Sequence, residues 1–150
     1  SLTYAQWNDR ASRLASALLD LGLAKGDRVG VLAYNALEWM EIYVALARAG
    51  LVAVPINFRL TAAEIAFIVG HAEAAALIAG AEFTATVDGI RASLPMPEGR
   101  HIVIGGDAPP GWTSYESLMQ AGDASRTFAA VGQEDMCALM YTSGTTGRPK

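Results

Sequence analysis

Hydroxyl, glycine and lysine residues are concentrated at the end of the chain, in the segment Tyr141–Lys150. Gly144 and Gly147 lack a Cβ atom, so the backbone N–H groups beside them can approach an anion closely. Lys150 adds a compact positive charge on a flexible stem. Four further residues carry hydroxyl groups that can donate to the same anion: Thr142, Ser143, Thr145 and Thr146. This combination is typical of a loop that binds a polyphosphate.

The spacing of these residues excludes two common nucleotide-binding motifs. A Walker A loop has four residues between its glycines and a lysine directly after the second one. Here two residues separate Gly144 from Gly147, and Lys150 lies three positions further on. A dinucleotide-binding fingerprint is also excluded, because the first predicted strand ends at Tyr34 and Asn35 without a glycine-rich turn.

Alternating apolar and amphipathic segments predict the elements that position this loop. The predicted helices cover Leu2–Leu21, Ala36–Ala49, the residues after Thr61, Ala81–Leu94 and Tyr115–Ala121. The predicted strands are apolar throughout and cover Val29–Ala33, Leu51–Ile56, Ala75–Ala79, Ile102–Ile104 and Met136–Tyr141. We therefore expect an α/β fold with a largely parallel sheet covered by helices on both faces. The last strand leads directly into the glycine- and threonine-rich loop, and open α/β sheets bind ligands at the carboxyl ends of their strands.

Several helix ends carry local signals. Thr3 with Gln6, and Thr61 with Glu64, have the spacing of a capping box at a helix start. Gly22 and Gly50 follow predicted helices, as glycine commonly does. We also expect Asn35 to cap the second helix.

The composition limits the class of protein. Of the 150 residues, 52% are hydrophobic and 17% charged, which excludes a disordered chain. Eleven basic residues against 15 acidic ones argue against nucleic-acid binding. The most apolar stretch, Met40–Ile56, contains Glu41, Arg48 and Pro55, so we expect no transmembrane segment. A single cysteine fits a reducing compartment, and we expect a cytoplasmic location.

Other chemically versatile residues have simpler structural interpretations. Cys137 lies in an apolar strand and is expected to be a buried small hydrophobe. His71 follows a likely helix end and His101 begins a strand, so both are interpreted as structural. Arg59 follows a strand end, where it could contact an anion or simply be a surface charge. Three residues of the second helix could line an acyl channel but are more often core, which is our expectation for Trp39, Met40 and Tyr43.

The segment Thr142–Gly147, followed by Pro149 and Lys150, resembles the signature phosphate-binding loop of the AMP-forming (adenylate-forming) synthetases. The similarity extends over nearly the whole chain, through Leu2–Tyr4, Gly26–Val29 and Ala49–Asn57. Peptide-synthetase adenylation modules usually continue Val-Pro-Leu-Asp-Pro where this chain has Val54-Pro55-Ile56-Asn57-Phe58. This stretch is more similar to acyl- and aryl-CoA ligases.

The resemblance implies a two-step reaction. A carboxylate attacks the α-phosphate of ATP, accompanied by Mg²⁺, to form an acyl-adenylate, and a thiol, which we take to be coenzyme A, then displaces AMP. The loop Thr142–Gly147 with Lys150 would hold the β- and γ-phosphates. The main catalytic residues and the coenzyme A site would lie beyond Lys150.

The resemblance also implies a domain assignment. Residues 1–150 are expected to be the N-terminal portion of the large domain, a fragment inactive on its own. An amino-acid adenylation domain and a non-catalytic nucleotide-binding module remain alternatives, and the oligomeric state, including a homo-oligomer, stays open.

Overall fold

Helices and strands alternate along residues 2–142, the part of the chain that the computed structural model describes. The helices are α1 (Tyr4–Asp20), α2 (Glu38–Ala49), α3 (Ala62–His71), α4 (Thr84–Ile90) and α5 (Tyr115–Ala121). The strands are β1 (Arg28–Leu32), β2 (Val52–Pro55), β3 (Ala76–Gly80), β4 (His101–Ile104) and β5 (Thr113–Ser114).

The strands within residues 2–142 form one five-stranded sheet in the order β2-β1-β3-β4-β5, with every pair parallel. The chain moves outward from β1 to β2 and then returns to the other side of β1 to form β3. This reversal creates a topological switch point between the carboxyl ends of β1 and β3, where α/β sheets of this order bind ligands.

Helices cover both faces of the sheet, as the sequence predicted. Successive strand residues point to opposite faces, so Val31 and Leu32 belong to different cores. Leu14 of α1 and Leu46 of α2 pack with α5 on the first face. The second core is formed by α3 and α4, for example through Ile65. The α/β fold with a parallel sheet covered on both sides is therefore confirmed.

The predicted caps are also present. Thr3 and Gln6 form a reciprocal capping box at the start of α1, and Thr61 and Glu64 form another at α3. Gly50 ends α2 in the left-handed conformation, with φ of 68°. An L side chain at this position would be strained, which explains why glycine follows the helix here.

Two helical predictions differ from the structure. Asn35 does not cap α2: the residue before the helix is Leu37, and it makes no side-chain cap hydrogen bond. The helix expected over Ala81–Leu94 is divided into a 3-10 turn, α4 and a second 3-10 turn. Thr84, Thr86 and Gly89 are poor helix formers, and this explains why the segment does not hold a continuous α-helix.

The strand predicted at Met136–Tyr141 is reduced to one parallel bridge, between Ala138 and Ala53 of β2. The Ala53 N–H donates to the Cys137 carbonyl at 3.0 Å, and the Leu139 N–H donates to the Ala53 carbonyl at 2.8 Å. The segment therefore lies at the outer edge of the sheet, beside β2. Cys137 is exposed at this edge, so the expectation that it is buried is wrong.

Between residues 2 and 142, no helix has the length and apolar character that crossing a membrane requires.

Candidate functional site

A cavity of about 490 Å³ opens at the carboxyl edge of β1 and β2. Ala33 and Asn35 line it just after β1, and the residues Pro55–Phe58 line it at the end of β2. The wall opposite is formed by α2, with Trp39, Met40 and Tyr43, and by Tyr141. The cavity therefore lies at the carboxyl edge of the sheet, next to the switch point between β1 and β3, and it is mainly aromatic and apolar.

The predicted phosphate-binding loop begins beside this cavity. Because Ala138 pairs with Ala53 in parallel, the chain runs from there toward the carboxyl edge, and Tyr141 reaches the cavity wall. Thr142 follows and is exposed. The remaining predicted loop residues lie outside the described part of the chain: Ser143, Gly144, Thr145, Thr146, Gly147 and Lys150. Their phosphate-binding role stays a prediction.

Aromatic rings cover the switch point next to the cavity. Tyr34 directly follows the β1 region, and its ring centre lies 4.7 Å from that of Phe58 and 5.0 Å from that of Phe83. The backbone carbonyl of Tyr34 accepts a hydrogen bond of 2.9 Å from the Trp39 indole. The loops after β1, β2 and β3 are therefore joined at this edge by ring contacts.

The cavity wall from α2 corrects one expectation. Met40 is 60% exposed and Tyr43 is 38% exposed, so the expectation that these two side chains are core is wrong. Trp39 is half-buried and packs against the first core. The buried face of α2 instead carries Ile42 and Leu46. Trp39 and Tyr43 lie with ring centres 5.5 Å apart on the cavity side. Partial burial raises the pKa of the Tyr43 phenol, so it is a neutral hydroxyl at physiological pH.

A buried charge cluster holds α2 in place, and sequence reasoning missed it. Glu41 is 1% exposed and accepts hydrogen bonds from Arg10 Nε at 2.6 Å, Arg10 Nη2 at 3.0 Å and Tyr115 Oη at 2.9 Å. Arg10 also pairs with Glu116 at 2.6 Å. Hydrogen bonds to Glu116 and Glu41 raise the pKa of the Arg10 guanidinium. Burial, followed by the nearby Glu41 charge, raises the pKa of the Tyr115 phenol.

Sequence reasoning also missed Asn35, Asn57 and Phe58 as residues that line the cavity. A signal was present, because each lies within a few residues of the carboxyl end of a predicted strand. The Oδ1 atom of Asn57 accepts from the Arg59 backbone N–H at 3.0 Å, which shapes the turn after β2. Arg59 itself is an exposed charge whose guanidinium lies 5.6 Å from the Phe58 ring centre.

The two histidines occupy different environments. His71 lies in the last turn of α3, and its Nδ1 is 2.7 Å from the Tyr141 hydroxyl, whose pKa is raised by burial. His101 is 2% exposed, and neither ring nitrogen has a hydrogen-bond partner among the described residues. Its ring packs edge-on against Trp112, with centres 5.7 Å apart. These contacts fit the structural role expected for both residues.

Groups that could hold a metal ion were sought among His, Cys, Asp and Glu side chains. Within residues 2–142, no three of them come together in such a group.

The fold is a doubly wound α/β sheet with helices on both faces, and the cavity at its carboxyl edge is a candidate ligand site. The chain belongs to the AMP-binding enzyme family, whose sequence pattern matches residues 1–150. This confirms the resemblance drawn from the terminal loop.

Individual relatives are CoA ligases. The chain is 40% identical over 149 residues to the long-chain-fatty-acid–CoA ligase FadD13 of Mycobacterium tuberculosis, covering 99% of this chain and 28% of the relative. It is 37% identical over 151 residues to the indoleacetate–CoA ligase of Aromatoleum aromaticum, covering 99% of this chain and 29% of that protein.

The fold has solved counterparts. One is the anthranilate CoA ligase AuaEII in complex with anthranoyl-AMP, at a TM-score of 0.93 and 33% identity, which covers 99% of this chain and 28% of that one. The chain thus spans less than a third of the length of these relatives.

Proposed function

We propose that residues 1–150 form the N-terminal portion of the large domain of an AMP-forming acyl-CoA synthetase. In this reaction a carboxylate attacks the α-phosphate of ATP, which releases pyrophosphate and forms an acyl-adenylate. The thiol of coenzyme A then attacks the acyl carbon and releases AMP. The observation that carries the proposal is the match to CoA ligases over nearly the whole chain.

The loop is proposed to bind the phosphates that leave as pyrophosphate. In this role hydroxyl groups donate hydrogen bonds to the phosphates from Thr142, Ser143, Thr145 and Thr146. The absence of a Cβ atom lets backbone N–H donors approach the phosphates at Gly144 and Gly147, and Lys150 contributes a positive charge. The position of Tyr141 at the carboxyl-edge cavity supports it, because the loop starts where such sheets bind ligands.

The loop's proposed contribution to catalysis is to orient the phosphates and stabilise their charge, and no proton transfer is required of it. The loop alone does not complete the reaction. In this proposal the residues that bind Mg²⁺ with ATP, the coenzyme A site and the main catalytic residues lie in the polypeptide beyond Lys150. Fatty and aromatic acids are the substrates to consider first, because the relatives are named for such acids. A cytoplasmic location is part of the proposal and is supported by the single cysteine.

The proposal is tested by carboxylate-dependent exchange between ATP and pyrophosphate in the full-length protein. Lys150→Ala and Thr145→Ala should each lower exchange by about 10- to 150-fold, since a hydrogen bond to a charged group contributes about 1.5–3 kcal/mol. Lys25→Ala is the matched control. Lys25 pairs with Asp135 at 2.8 Å, before β1 and away from the carboxyl edge, so its loss should leave exchange unchanged.

Unchanged exchange in both loop variants would contradict the phosphate-binding role. The panel of acids should include fatty, aromatic and amino acids. Exchange that depends only on amino acids would favour a peptide-synthetase-type adenylation domain. A full-length protein that binds nucleotide but shows no exchange with any acid would favour a non-catalytic module.

A further inference from the structure

The side chain of Tyr141 is held by the last turn of α3. Its hydroxyl lies 2.7 Å from Nδ1 of His71, and the two rings meet edge to face with their centres 5.7 Å apart. The His71 ring in turn stacks on Phe67, one helical turn earlier, with ring centres 5.4 Å apart. A directional hydrogen bond and a ring contact therefore fix the position of Tyr141 relative to α3.

The helix α3 is a firm support for this contact. Its start is closed by the capping box of Thr61 and Glu64, and Ile65 and Ile68 are buried against the sheet. A side chain on a packed helix holds its partner more precisely than a side chain on a loop. His71 is itself exposed, so replacing it leaves the buried face of α3 intact.

The segment that leads to Tyr141 is joined to the sheet by a single bridge. Ala53 of β2 donates its N–H to the Cys137 carbonyl and accepts from the Leu139 N–H, at 3.0 and 2.8 Å. Tyr141 lies two residues beyond these bonds, and its side chain packs against the second core, on the side of α3. The contact with His71 therefore holds the chain after the backbone pairing with β2 has ended.

We propose that His71 is a positioning residue for the phosphate-binding loop and acts through the Tyr141 hydroxyl. This inference rests on the proposed function, because it takes phosphate binding by the loop as given. Tyr141 lines the carboxyl-edge cavity and directly precedes Thr142, the first hydroxyl residue of the predicted loop. Fixing Tyr141 sets where the loop starts relative to the cavity. His71 contacts no phosphate in this role, and it reduces the conformational freedom that is lost when ATP binds.

Exchange between ATP and pyrophosphate in the full-length protein, measured at varied ATP concentration, tests the proposal. Tyr141→Phe and His71→Ala each remove the hydrogen bond. Each should lower kcat/KM for ATP by about 2- to 12-fold, the range for a hydrogen bond between neutral groups. The double variant should be no worse than the weaker of the two single variants, because both changes remove the same bond. His71→Asn should recover most of the loss, since its amide can donate or accept close to the position of Nδ1.

Glu73→Gln is the matched control. Glu73 lies at the same end of α3, its side chain is 82% exposed, and it pairs with Arg28 at 3.0 Å. This variant should keep the kcat/KM of the parent. The Tm of all these variants should stay close to that of the parent, because His71 is exposed and Tyr141→Phe keeps the aromatic ring.

Three results would overturn the inference: an unchanged kcat/KM in Tyr141→Phe and His71→Ala, additive effects in the double variant, or a loss that His71→Asn does not recover. Calorimetric titration of the same full-length proteins with ATP separates the two proposals. Exchange in the parent that neither variant lowers refutes this inference alone. In a parent without exchange, ATP binding that both variants weaken refutes the proposed function alone. ATP binding that is absent, or equal in parent and variants, then refutes both.

Discussion

Loss of the Arg10 guanidinium should destabilise the protein more than loss of any exposed ion pair. Arg10 supplies two of the three hydrogen bonds that the buried Glu41 carboxylate accepts, and Tyr115 supplies the third. In Arg10→Met the Glu41 carboxylate, which is 1% exposed, would keep a single hydrogen-bond donor, the Tyr115 hydroxyl. Removing one partner of a buried pair costs about 3–5 kcal/mol of unfolding free energy. For a chain of this size that corresponds to a fall in Tm of about 6–20 °C.

The measurement is urea unfolding of residues 1–150, followed by circular dichroism at neutral pH. Glu116→Gln is the matched control, since it removes the other ion pair of Arg10, whose carboxylate is 49% exposed. That change should cost about 0.2–1 kcal/mol. The triple variant Arg10→Met, Glu41→Met, Tyr115→Phe should recover most of the loss, because it leaves no buried polar group without a partner.

The reasoning is refuted if Arg10→Met loses no more unfolding free energy than Glu116→Gln. It is also refuted if the effects of Arg10→Met and Glu41→Met are additive in the double variant, because residues in one buried network should couple.

Three further predictions concern the packing around the sheet. Burial, and secondarily the Arg91 charge, lowers the pKa of His101 from its usual 6.5, although Asp88 opposes this shift. The folded state therefore favours neutral His101, so its contribution to stability is full above pH 6.5 and declines as the pH falls. The urea midpoints measured at pH 7.5 and pH 5.5 should differ less in His101→Phe than in the parent. Equal differences in the two proteins would show that His101 is not the source of the pH dependence. Gly122→Ala should lower the free energy of unfolding by about 2–3 kcal/mol, because the added Cβ would overlap the Arg13 carbonyl group. Gly89 faces open space in α4, so Gly89→Ala should raise it by about 0.5–1 kcal/mol. Calorimetry that ranks the two variants the other way would contradict this packing. Thr61→Ala should cost about 1 kcal/mol by removing the α3 capping box, and an unchanged urea midpoint would show that the cap contributes nothing.

Features with local causes could be predicted from the sequence. The capping boxes at Thr3 and Thr61 each involve two residues three positions apart. The C-terminal end of α2 depends on the left-handed backbone conformation of one residue, Gly50. The apolar strands were recognisable because both of their faces are buried in a parallel sheet. A local cap was nevertheless predicted wrongly at Asn35, since α2 begins later, after Leu37.

The sequence indicated the carboxyl edge of the sheet as the place of a site, but it did not indicate which residues line the cavity there. The terminal loop indicated a phosphate site through residue types alone, and its later residues lie outside the described part of the chain. The cavity beside it joins residues from β1, α2, β2 and Tyr141, which are distant in sequence. Whether Met40 faces the core or the cavity depends on how α2 is rotated against the sheet, and periodicity within one helix does not specify that rotation.

The sequence by itself determined the fold class and the family, because strand hydrophobicity, caps and the terminal loop are properties of contiguous residues. The tertiary structure alone decided which side chains are exposed and which charges meet. Glu41 lies 31 positions from Arg10 and 74 from Tyr115, so their pairing exists only after three helices pack together. Cys137 is exposed for a related reason: a strand is buried only if neighbours cover it, and here the segment meets β2 at a single bridge.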